Sequence, residues 1–121
     1  MPFWVPIIVT LICRILVGVC AINITKCGDD TSKLLNDAHG IELFVFHVLI
    51  IQFVNVPLIQ KGLTIFMALA ALWGVLQFIS SLVLVKEKNP AAIHWVFARL
   101  LGLIGMAVPV YWAYLVVFSR S

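Results

Sequence analysis

From Phe3 to Thr25 the chain is almost unbroken apolar sequence, interrupted near its centre by Arg14. As a helix this stretch extends roughly 34 Å, enough to cross a hydrocarbon core about 30 Å thick. A guanidinium at that depth costs at least about 2.5 kcal/mol unless something compensates it. The hydropathy pattern predicts an all-α integral membrane four-helix bundle with spans at 3–25, 41–60, 63–85 and 91–118. Of 121 residues, 64% are hydrophobic and 11% charged, against about 25% charged in soluble domains. One domain, nearly all of it in lipid, is therefore expected. The net charge of +3 is scattered, with no basic run to suggest a nucleic-acid partner.

The first span has no basic segment before it and is too long for a signal-peptide core, so it is expected to be retained. Cys13, Cys20 and Cys27 repeat every seven residues and share one face. Neighbours in this series lie about 10 Å apart along a helix, too far for a disulfide. They are expected to pack as small residues. The polar segment Cys27 to Gly40 reads as a loop holding a short separate helix, with Asp30 or Thr31 as N-cap and Gly40 as its stop. Its Cys, Asp and His residues match no metal-ligand spacing, and no metal is expected.

The second span carries His47, Gln52 and Asn55, a polar side that should face protein. Pro57 should bend or end it, and Lys61-Gly62 should form the next turn. Ala70 and Gly74 in the third span, and Ala98 and Gly102 in the fourth, are small-xxx-small pairs that let helices approach closely. They predict that the third and fourth spans form the tightest hairpin. Asn89 as N-cap before Pro90 starts the fourth span. Pro109 should kink it and free the carbonyl of Gly105. Tyr111, Trp112 and Tyr114 suggest an interfacial aromatic belt, with Arg120 beyond.

Four spans put both termini on one side. Lys26, Lys33, Lys86 and Lys88 flank the loop side, against Lys61 and Arg120 on the other. The positive-inside bias thus puts the polar loops toward cytoplasm or matrix. All five acids, Asp29, Asp30, Asp37, Glu42 and Glu87, fall on the loop side or at its edge. Glu42 is expected to reach Arg99 by snorkelling. Arg14 has no carboxylate at its expected depth. A lipid phosphate, a carboxylate of another protein or an anionic ligand would have to supply one.

No nucleophile, base or metal cluster is assembled, so an enzyme is not expected. Small multidrug transporters share the length and span number, but they need an acid where this chain has Arg14. Arg14-Ile15-Leu16-Val17-Gly18, with Lys26 closing the span, resembles the first helix of DoxX-like four-helix membrane proteins; the likeness is confined to that helix.

Little of the chain lies outside the membrane, and Arg14 lacks a partner. These features predict a small accessory subunit of a larger membrane complex. A respiratory or ATP-synthase assembly of the mitochondrial inner membrane is the expected setting. There Arg14, Arg99, Lys86 and Lys88 would contact neighbouring subunits or a structural phospholipid such as cardiolipin. The alternative is a stand-alone transporter or channel for an anionic solute, lined by Arg14. A third reading is a haem or pigment protein using His47 and His94 as axial ligands at similar depth.

Overall fold

The computed structural model describes residues 2–118, which form four long helices and a short π-helical turn. These are α1 (Trp4–Lys26), α2 (Ser32–Phe53), α3 (Pro57–Lys86) and α4 (Ala92–Ala113), with the turn at Tyr114–Phe118. All four helices are long and apolar enough to cross a membrane. The chain is a four-helix membrane bundle, and both ends of the described segment lie on the same side. There Phe3, just ahead of α1, and Ile7 pack on the cluster that holds Trp112, as do Val116 and Val117.

Two boundaries differ from the sequence reading, and both matter for charge. The polar segment is not a separate short helix. Ser32 to Gly40 is continuous with the second span, and Gly40 lies inside α2 rather than ending a helix. Asp30 precedes α2 and accepts the Ser32 backbone N–H (3.1 Å) and hydroxyl. Those bonds hold its carboxyl below the ordinary value. At the other end α2 stops at Phe53, and the extended residues Val54–Val56 form the break. Pro57 opens α3, where its missing N–H is harmless, so Lys61-Gly62 is helix rather than turn. The amide of Gln60 donates to the carbonyls of Ile51 (2.8 Å) and Val54 (3.2 Å), closing the hairpin. Asn55 falls in that break, so no polar stripe joins it to His47.

On the loop side, α1 and α3 end alike. After α1, Gly28 N–H bonds to Thr25 O and Asp29 N–H to Ile24 O, with Gly28 at φ 92°. After α3, Lys88 N–H bonds to Val85 O and Asn89 N–H to Leu84 O. This paired bonding satisfies carbonyls that a helix end leaves free, and it needs a left-handed residue. In the second case that residue is Lys88, at φ 57°. Asn89 Oδ1 then accepts the Ala91 N–H at 2.8 Å, just ahead of α4.

The most extensive contact is between α1 and α4, with α3–α4 second, whereas α2 and α3 touch sparsely. Among consecutive helices α3 and α4 form the tightest hairpin, as expected, but the contact between the first and last helices exceeds it. Ala98 packs with Val17, Ala21 and Ile24 of α1. A Cβ at Gly102 would meet Ile41 of α2, and one at Gly105 would meet Cys13 Cβ at 3.0 Å. The small residues of α4 therefore admit α1 and α2. Gly74 of α3 instead receives the end of the Met106 side chain. Lipid tails are as apolar as leucine, so such close packing, not hydrophobicity, holds spans together.

Two apolar clusters fill the bundle. One, toward the loops, gathers Ile24, Leu34, Ala38 and Ala91. The other, toward the chain ends, gathers Phe44, Val48, Ile51, Met67 and Trp112. Trp112 is buried there, so it is not part of an aromatic belt; Tyr111 and Tyr114 are exposed. Arg120 lies outside the described residues. Pro109 is buried inside α4, and the buried hydroxyl of Thr10 donates to Gly105 O at 2.8 Å.

Candidate functional site: two ion pairs and a cavity beside α2

The early start of α2 changes the depth of its acids. Glu42 lies about 15 Å into the helix, and Arg14 about 18 Å from the loop-side end of α1. The two are therefore nearly level. Arg14 Nε donates to Glu42 Oε1 at 2.7 Å. Glu42 Oε2 is 3.6 Å from His39 Nδ1. The expectation that Arg14 finds no carboxylate at its depth is overturned, as is the pairing of Glu42 with Arg99. With that, the premise of a counter-ion from a neighbouring subunit is removed.

Arg99 pairs instead with Asp37, its Nη1 donating to Oδ2 at 2.7 Å. The guanidinium lies over the Trp95 ring, 5.6 Å from the centroid. Trp95 Nε1–H in turn donates to Asp29 Oδ2 at 3.0 Å, which ties the first loop to α4. Asp37 and Glu42 are about 140° apart around α2 at 100° per residue. One acid therefore reaches α4 and the other α1. Together they fix the rotation and height of α2 against both neighbours.

Sparse contact between α2 and α3 leaves a cavity of about 220 Å³. Its loop-side end holds Asn36, Asp37, Arg99 and Gln77. Its walls are Leu43, Phe44, Phe66, Trp73 and Met106, with His47 farthest from the loops. The span from Asp37 to His47 along α2 is about 15 Å. Phe66 and Trp73, more than half exposed, form the outer rim. His47 Nδ1–H donates to Leu43 O at 2.6 Å, and its ring stacks on Phe66 with centroids 5.5 Å apart.

The residues singled out in the sequence separate into distinct places. Arg99, His47, Ala70, Gly74, Ala98 and Gly102 line the cavity, and Arg14 does not. His94 stands in the first turn of α4. Because Asp37 is level with Arg99, His47 and His94 differ in depth by about 22 Å. That is too far for two ligands of one haem iron, and the similar depth assumed for them is corrected. Lys86 and Lys88 are exposed at the loop-side end of α3, without an ion pair among the described residues. The sequence signal missed was the continuity of Ser32 to Gly40 with the second span, which carries Asp37 and Glu42 inward. No family model matches the chain, and no curated protein or solved structure matches it either.

Proposed function

We propose that this protein is an intramembrane binding protein for a small amphiphile, which enters sideways from the bilayer between α2 and α3. The observation that carries this reading is the cavity itself. It joins a polar end at Asp37–Arg99 to a largely apolar, aromatic-walled slot, in a chain with little structure outside its spans. Concave apolar sites with a few convergent polar groups are the usual form of small-molecule sites. The volume is below the roughly 300–1,000 Å³ of sites for drug-sized ligands, so the occupant is small or only partly enclosed. Binding, not catalysis, is the role proposed, because the polar end holds an ion pair and amides but no nucleophile–base arrangement.

The test is photolabelling of the full chain in lipid nanodiscs with an alkyl probe carrying a diazirine, followed by mapping of the labelled peptides. Label should concentrate on Leu43, Phe66 and Trp73. Ala70→Phe, which fills the slot, should reduce it, whereas Leu69→Phe on the outer face should not. Equal labelling of both variants and the wild type, spread over the outer faces of all four helices, would refute the reading.

A further inference from the structure

We infer that the cavity selects amphiphiles whose head group is uncharged and can both donate and accept a hydrogen bond, such as an alcohol or primary amide. This rests on the binding role proposed above and specifies the ligand class. The lining residues include one carboxylate and one guanidinium, Asp37 and Arg99, already joined at 2.7 Å. α1 contributes Val17 to the lining, α3 contributes the neutral Gln77, and α2 adds His47 at the far end. The Arg14–Glu42 pair lies outside the cavity. The polar end is thus close to net neutral, and a charged head placed there meets a like charge on one side.

The pair is not saturated. The Arg99 side chain is 10% exposed, and its Nε and Nη2 make no hydrogen bond among the described residues. The same holds for Asp37 Oδ1 and for the Gln77 amide. No buried side-chain nitrogen or oxygen among the described residues lacks a partner, so these unbonded atoms, on residues that line the cavity, are not sealed in the interior. The unused nitrogens are donors and the unused Asp37 oxygen is an acceptor. A hydroxyl satisfies both at once. A sulfate or phosphate satisfies only the donors and is repelled by Asp37. An ammonium has the opposite fault with Arg99. The nearly 15 Å of slot beyond then takes the apolar body. An anionic solute, by contrast, is disfavoured at this end.

The experiment is competition against the diazirine probe in nanodiscs of zwitterionic lipid. Three competitors share one alkyl chain at low mole fraction: the primary alcohol, the alkyl sulfate and the alkyl trimethylammonium. The alcohol should compete at least about tenfold better than either ion, since opposing a like charge costs more than the 1.4 kcal/mol of one decade. Gln77→Leu, which removes no hydrogen bond of the fold, should weaken the alcohol by roughly 2- to 10-fold. Asp37→Asn, which leaves Arg99 unneutralised, should shift preference toward the sulfate. A wild-type cavity that takes the sulfate or the ammonium as well as the alcohol overturns this inference while leaving the binding role intact. Absence of cavity labelling by any probe overturns the binding role itself. The wild-type series decides the matter even if Asp37→Asn does not fold.

Discussion

Thr10 gives its hydroxyl hydrogen to the carbonyl of Gly105, 2.8 Å away and fully buried, at the point where Pro109 leaves the α4 ladder one donor short. In an unbroken helix the N–H of residue 109 would serve that carbonyl. Proline has none. In lipid an unsatisfied carbonyl costs several kcal/mol, and α1 supplies the missing donor. Thr10→Val keeps the shape and removes the bond. It should lower stability by about 1–3 kcal/mol, measured by unfolding in mixed micelles. Pro109→Ala restores the internal donor, so Thr10→Val on that background should cost clearly less.

The Arg14–Glu42 pair is expected to behave as a unit. Removing either partner leaves a charge in lipid and should cost about 3–5 kcal/mol. Arg14→Leu or Glu42→Leu alone should therefore reduce folded yield severely. The double Leu variant should recover most of the loss, because no stranded charge remains. A double-mutant cycle showing additive losses would mean that the two side chains do not meet in the membrane.

Two glycines that look alike in sequence should respond differently to alanine. A methyl at Gly74 meets the flexible end of Met106, which can swing aside. Helix propensity favours alanine by about 1 kcal/mol, so Gly74→Ala should be near neutral. A methyl at Gly105 meets Cys13 Cβ at 3.0 Å, an atom fixed to the α1 backbone. Gly105→Ala should cost about 1–3 kcal/mol by overpacking. Thermal unfolding of the two variants side by side checks the order.

Lys88 occupies the left-handed position that ends α3, at φ 57°. A non-glycine residue there costs roughly 1–2 kcal/mol. Lys88→Gly should raise the unfolding midpoint, and Gly28→Ala, at φ 92° after α1, should lower it. Equal midpoints for both variants and the wild type would show that neither turn limits stability.

Four apolar runs, their punctuation at Asn89-Pro90 and around Pro57, and the same-side termini are legible along the chain. These are local properties: the cost of a polar backbone in lipid and the geometry of proline act wherever the residues stand. The sequence also flagged Arg14 and the carbonyl freed by Pro109 as groups in need of partners. Their partners follow only from how the helices pack. Ser32 to Gly40 is polar enough to read as loop, yet it continues α2, and that continuation brings Asp37 and Glu42 level with Arg99 and Arg14. Likewise Thr10 is an ordinary small residue until α1 lies against α4. Pairing depends on the relative height and rotation of two helices, and no stretch of one helix encodes those until the other is packed against it.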